Sequence, residues 1–201
     1  YYHVQGNKKM RLSQPQQLMA SKREIVDEAY AGDIIGVFDP GIFSIGDTIC
    51  APGKKFRFGG IPTFAPEHFS RVSPRDSMKR KQFIKGTEQI AQEGAIQIFK
   101  LPNSGMEEVI VGVVGTLQFD VFQYRMKSEY GVDLRMEGLP YEHLRFIARS
   151  PVEDLKDLNL SSDVELLEDY RGHSLLVFSS LWSIDYTIKR NPGLELSETL
   201  N

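Results

Sequence analysis

The run Asp76-Ser77-Met78-Lys79-Arg80-Lys81-Gln82-Phe83-Ile84-Lys85-Gly86-Thr87-Glu88-Gln89-Ile90-Ala91-Gln92-Glu93-Gly94 decides the fold. Phe83, Ile84, Thr87, Ile90 and Ala91 recur at the three- and four-residue spacing that places side chains on one stripe of an α-helix, and Gly94 supplies a stop. A helix is predicted over Asp76–Glu93. Strand character surrounds it, with Phe64–Val72 before and Ala95–Lys100 and Glu108–Val114 after. A second helix is predicted over Leu117–Tyr130, because Phe119, Phe122, Met126 and Tyr130 repeat at helical spacing behind a Thr116 N-cap. Val132–Glu137 then reads as a strand. The order βαββαβ is the split βαβ, or ferredoxin-like, sandwich.

Outward from this unit, an extension of similar texture follows. It has a strand at Leu144–Ala148, a short acidic helix after Pro151, strands near Val164–Leu167 and Ser174–Phe178, and a helix ending before Pro192. Upstream, Tyr1–Phe58 has β texture: short runs at Met10–Leu12, Gln17–Ala20, Ile34–Phe38 and Thr48–Cys50 alternate with turns such as Ala31-Gly32-Asp33, Asp39-Pro40-Gly41 and Ile45-Gly46-Asp47. Strands this short and this closely spaced suggest a barrel. Gly53–Pro62, with three glycines and the basic residues Lys54, Lys55 and Arg57, marks the change of texture. The fold class is therefore α+β: a partial β-barrel over residues 1–60, then a ferredoxin-like α/β sandwich with a C-terminal extension over residues 61–201.

The chain has 201 residues, 41% of them hydrophobic and 25% charged, enough to bury a core. Its longest apolar runs, Val109–Val114 and Leu175–Phe178, fall far short of the roughly 18 residues that a membrane helix requires, so no membrane partner is expected. With Cys50 as the one cysteine, neither an intrachain disulfide nor a thiolate zinc cluster can form, and a reducing cytoplasm is the expected location. The net charge is −3, but it is unevenly spread. Residues 1–149 carry 20 basic and 17 acidic groups, against 4 and 10 in residues 150–201, so the partner-facing charge is expected in the first three quarters.

Several chemistries lack their residues. A phosphate-cradling loop needs a glycine-rich turn ending in Gly-Lys-Ser/Thr; Pro52-Gly53-Lys54-Lys55 lacks the hydroxyl residue, and Lys85-Gly86-Thr87 lies inside the first helix, where backbone amides are already used. His3, His68, His143 and His173 show no i, i+4 metal spacing. Cys50 reads as a small hydrophobe, and neither Glu67 nor Asp120 has a partner that pattern assigns. No catalytic, cofactor-binding or metal-binding residue is expected. The most informative charge is in Arg71–Lys85, where Arg71, Arg75, Lys79, Arg80, Lys81 and Lys85 face Asp76 alone. Lys81 and Lys85 share a helix face, with Arg75 and Lys79 near its start, opposite the Phe83 and Ile90 stripe. A phosphate-contacting patch of Arg71, Arg75, Lys79, Lys81 and Lys85 is one reading, and a solvated helix face the other.

Five strings carry a family resemblance: Ala29-Tyr30-Ala31-Gly32-Asp33-Ile34-Ile35-Gly36, Ile45-Gly46-Asp47-Thr48, Gly60-Ile61-Pro62-Thr63-Phe64-Ala65-Pro66-Glu67, Glu93-Gly94-Ala95-Ile96-Gln97 and Gly115-Thr116-Leu117-Gln118-Phe119-Asp120-Val121. Together they resemble the C-terminal part of the bacterial peptide chain release factor 3 family. The first two are shared by many translational GTPases, whose second domain is a β-barrel; the third and fifth are far more specific. Two departures stand out. Gln92 precedes Glu93 where the family usually carries glutamate, and Ser183, beside Trp182, corresponds to a family asparagine.

The resemblance implies a three-domain GTPase of translation termination that binds the ribosome and drives off the class I release factor. It implies that GTP and Mg²⁺ belong to a domain upstream of Tyr1, so this fragment carries no cofactor and is not catalytic. Asn7-Lys8-Lys9-Met10 agrees, lacking the aspartate of a guanine-reading Asn-Lys-x-Asp. The cationic residues named above would face ribosomal RNA and protein, and open barrel edges would permit self-association. The alternatives are the matching domains of elongation factor G or a ribosome-protection protein, or a small-molecule enzyme on a ferredoxin-like scaffold.

Overall fold

The computed structural model describes residues 1–12, 15–19, 22–39, 41–54, 56–59 and 64–199. Gly60–Thr63, at the expected boundary and in one resemblance string, and Ala20, Pro40 and Lys55 lie outside the described residues. The chain divides into two units, Tyr1–Pro62 and Thr63–Asn201.

In the second unit the helical periodicity is realised. The segments are β7 (His68–Pro74), α1 (Arg80–Gln92), β8 (Gln97–Lys100), β9 (Val109–Val113), α2 (Leu117–Tyr130) and β10 (Leu134–Leu139). They pair in the order β10-β7-β9-β8, every pair antiparallel, which is the ferredoxin-like sheet. The predicted first strand begins four residues late, Pro66 having no N–H to give a ladder. The first helix also starts late. Asp76 caps a 3-10 turn at Ser77–Lys79 by accepting from the Met78 N–H, and α1 proper begins at Arg80. Thr116 forms no side-chain cap; the Gln118 carboxamide instead accepts from the Val114 and Gly115 N–H groups at 2.9 and 3.0 Å. Gly131 ends α2 at φ 65°, the left-handed position glycine tolerates.

One sheet face carries α1 and α2, whose Phe83, Ile90, Phe122 and Met126 are buried against Val72, Ile98, Val109 and Val111. The helices meet at Gly86, where a methyl group would lie 2.8 Å from the Met126 sulfur and the Tyr130 ring. The extension supplies β11 (His143–Arg149), β12 (Val164–Asp169), β13 (Ser174–Phe178), α3 (Leu181–Arg190) and β14 (Glu195–Ser197). It continues the same sheet, because β12 pairs with β8 through Glu168↔Lys100 and Asp169↔Phe99, giving eight strands. The face away from α1 and α2 buries Phe69, Phe99 and Ile110 in one cluster with Leu144, Leu167, Leu175 and Val177, all from strands. Since no helix enters that cluster, the sheet curls to close it, and Arg71 of β7 reaches Glu165 of β12 three places away. Both faces of β9 are therefore covered, which explains its unbroken apolar run. A third cluster packs Leu176 and Phe178 of β13 under Ile184 of α3.

The first unit holds β1 (Tyr2–His3), β2 (Lys8–Lys9), β3 (Gln16–Met19), β4 (Lys22–Ile25), β5 (Ile35–Gly36) and β6 (Ile49–Cys50). They form two three-stranded antiparallel sheets, β2-β1-β6 and β4-β3-β5. Met10–Leu12 is not a strand; Lys8–Lys9 is, and the Met10 N–H bonds back to the Tyr1 carbonyl. Among the described side chains of this unit, the buried ones are polar: His3 and Thr48. His3 Nε2 lies 2.8 Å from the Asp47 carboxylate, which also accepts from the Ser44 N–H at 2.7 Å. Asp39 ties its turn by accepting from the Gly41, Ile42 and Phe43 N–H groups, the Ile42 bond foremost in holding its carboxyl below the ordinary range. Among its described residues, polar groups in the turns supply the organising contacts of this unit.

Candidate functional site

The five cations grouped from the sequence do not share one face. Lys81 and Lys85 are exposed on α1 and, among the described residues, have no acidic partner. Arg75 and Lys79 are tethered at the end of α2: Arg75 Nε donates to the Leu134 carbonyl at 3.0 Å, and Lys79 Nζ donates to the Gly131 carbonyl. Both sit close to Asp133, whose carboxyl is held low chiefly by its bond to Lys127 at 2.9 Å. Arg71 stands apart. On β7 its parity is that of Phe69, which faces away from α1, and it lies 3.8 Å from Glu108 and 3.8 Å from Glu165. Arg80 is paired with Glu107. The accessible positive charge of α1 is thus concentrated at Lys81 and Lys85.

Other polar clusters are structural. Arg125 of α2 joins Glu129, at 2.6 Å, to Glu93 at the end of α1, a pairing that raises the guanidinium's already high pKa. Tyr141 donates to Glu165 at 3.1 Å, and burial, followed by that carboxylate, pushes its phenol up to about 12. His173 Nδ1 lies 2.8 Å from Asp169, in the turn between β12 and β13. The Cys50 thiol donates to the Phe56 carbonyl at 3.1 Å. A cavity of about 520 Å³ is lined by Glu153, Asp154, Asp157 and Glu168 together with Lys156 and Ser174. Among the described residues, no group of histidine, cysteine and carboxylate side chains could hold a metal ion, and no helix is long and apolar enough to cross a membrane.

The extension exposes a surface that the charge count did not reveal. Ser180 and Ser183 cap α3 reciprocally, so Ser183 is buried as a capping residue. Trp182 beside it is 66% exposed and stacks on Tyr186, with ring centroids 4.8 Å apart and planes 14° from parallel. Arg190 lies over the other part of the column, its guanidinium carbon 5.4 Å from the Tyr186 centroid. The i, i+4, i+8 spacing of Trp182, Tyr186 and Arg190 is the signal from which this column follows.

With this geometry established, comparison with known proteins fixes the family. Residues 58–188 match the model described as "Class II release factor RF3, C-terminal domain". The chain belongs to the class II release factor RF3 family. Residues 1–52 match elongation factor G domain 2, which makes the short-stranded first unit part of a translation-factor barrel. Peptide chain release factor 3 of Symbiobacterium thermophilum is 50% identical over 192 residues, covering 96% of this chain and 36% of the relative. The protein of that name from Gloeobacter violaceus is 42% identical over 197 residues, covering 98% and 37%, and that from Listeria monocytogenes is 42% identical over 193, covering 96% and 36%. The chain thus spans little more than a third of the length of these release factor 3 relatives, and matches their C-terminal part.

Proposed function

We propose that this chain is the ribosome-binding C-terminal region of a GTP-dependent release factor that promotes departure of the class I release factor in termination, in the cytoplasm. The match of residues 58–188 to the release-factor C-terminal domain carries this reading. In it, residues 1–60 are the C-terminal part of the barrel, residues 61–201 the release-factor domain, and the GTP and Mg²⁺ site belongs to a domain outside these 201 residues. The elongation-factor match covers residues 1–52, the barrel common to translational GTPases, and so does not favour an elongation factor over a release factor.

Contact with the ribosome is assigned foremost to Lys81 and Lys85, exposed cations on a rigid helix, with Arg75 and Lys79 adding field from fixed positions. Arg71, facing the opposite side of the sheet between two glutamates, contributes least. Electrostatic attraction of this kind raises association rates and fades as salt shortens the Debye length to about 8 Å near 0.15 M. The test is Lys81→Glu with Lys85→Glu in the full-length protein. Ribosome association should slow about tenfold or more at low salt, converging with the parent at high salt, while GTP affinity stays unchanged. Equal association rates across the salt series would remove the footprint.

A further inference from the structure

We propose that the exposed face of α3 is a stacking platform for an unpaired RNA base, with Trp182 as the contact ring and Lys189 and Arg190 as phosphate contacts. Trp182, Tyr186 and Arg190 form one column of planar groups on the flank beside Ser183, Ile184 and Thr187, which are buried. The column is ordered before any ligand arrives. Tyr186 holds the indole nearly parallel to itself, and Arg190 sits over Tyr186 with its Nη1 3.5 Å from the phenol oxygen. The Trp182 ring remains 66% exposed and offers a flat surface the size of a base. Base stacking on such a ring is tolerant of sequence, because every base has a π-face.

Charge selects the partner. Residues 150–201 are acidic, yet among the described residues neither Lys189 nor Arg190 has a carboxylate partner, so two cations not neutralised by a carboxylate stand on the helix that carries the column. A phosphate backbone complements that pair, and a base and its phosphate together match a flat ring flanked by cations. A protein partner would have to enclose Trp182 in a pocket of its own, and nothing on this convex helix face prefers that. The surface is distinct from α1 and stands on its own geometry.

Trp182 is the only tryptophan of the chain, so its fluorescence reads the platform directly. The 201-residue chain is titrated with short oligouridylate and oligoadenylate at about 50 mM salt, with inorganic polyphosphate as the charge-only control. Saturable quenching by RNA and not by polyphosphate is expected. By anisotropy of labelled RNA, Trp182→Ala should weaken binding about 5- to 150-fold, and Lys189→Glu with Arg190→Glu should flatten the logarithmic salt dependence by about 1.4. Circular dichroism checks that each variant folds. No quenching, equal quenching by polyphosphate, or an unchanged affinity for Trp182→Ala overturns the proposal. Once co-sedimentation shows the full-length protein on ribosomes, a photo-crosslinker in place of the neighbouring Leu181 should label ribosomal RNA; cross-links confined to protein, or none from the bound protein, also overturn it. The oligonucleotide titration does not require ribosome binding, so the two readings fail separately.

Discussion

Replacing Gly86 with alanine should destabilise the second unit, although alanine is the better helix former. In an exposed helix interior the change would gain about 0.8–1 kcal/mol. Here the added methyl group would lie 2.8 Å from the Met126 sulfur and 2.8 Å from two carbons near the root of the Tyr130 ring. Met126 is fully buried, so it cannot swing away without moving α1 from α2, and the Tyr130 contacts are at the root of a half-buried ring rather than at its free end. Overpacking of this kind costs about 1–3 kcal/mol, which leaves a net loss of about 1 kcal/mol after the propensity gain. Urea unfolding followed by circular dichroism at the helical band measures it, since α1, α2 and α3 all belong to this unit. The decisive variant is Gly86→Ala in a Tyr130→Ala background, where the ring is gone, only the Met126 contact remains and the penalty should fall. If Gly86→Ala stabilises the parent, or has the same effect in both backgrounds, the close approach of α1 and α2 is not what fixes glycine there.

Three further outcomes follow from the same structure. Ile90 is fully buried in the helix-facing core, so Ile90→Ala should cost about 2–5 kcal/mol in the same unfolding assay; a near-neutral result would mean the helix presents another face. The Tyr141 phenol, raised from 10 to about 12, favours the fold while neutral, so its contribution is complete below pH 10 and lost as the pH climbs toward 12; ultraviolet titration should show a late-titrating tyrosine component that Tyr141→Phe removes. Hydrogen exchange should be faster in the described residues of the first unit than in β7, β9 and β13, because that described part buries polar His3 and Thr48 and no apolar side chain; equal protection would contradict this.

The helices and strands of residues 64–139 were legible because their apolar residues repeat with the periods of helix and strand, and α2 occupies the segment its Phe119, Phe122, Met126 and Tyr130 repeat indicates. Ends were less legible. Asp76 opens a 3-10 turn, and Gln118 reaches back to the Val114 and Gly115 N–H groups where a Thr116 cap was expected, since both depend on side-chain bonds that spacing does not specify. The curl of the sheet was hidden, because β12 joins β8 through two residue pairs separated by a long stretch of chain, and β14 is too short to show alternation. The unbroken Val109–Val113 run was its one local trace. For the candidate site, a charge count along the chain groups Arg71 with Lys81 and Lys85, but strand parity turns Arg71 away. The α3 column was hardly visible: the sequence marks Trp182 only as the neighbour of Ser183, and Tyr186 and Arg190 join it only once the helix is built.

The central claim, that this region meets the ribosome through α1, is tested most directly by cryo-electron microscopy of the full-length protein bound to a ribosome in termination. The Lys81 and Lys85 ammonium groups should lie within about one Debye length, 8 Å, of ribosomal RNA phosphates. A well-ordered complex in which α1 faces bulk solvent would contradict it.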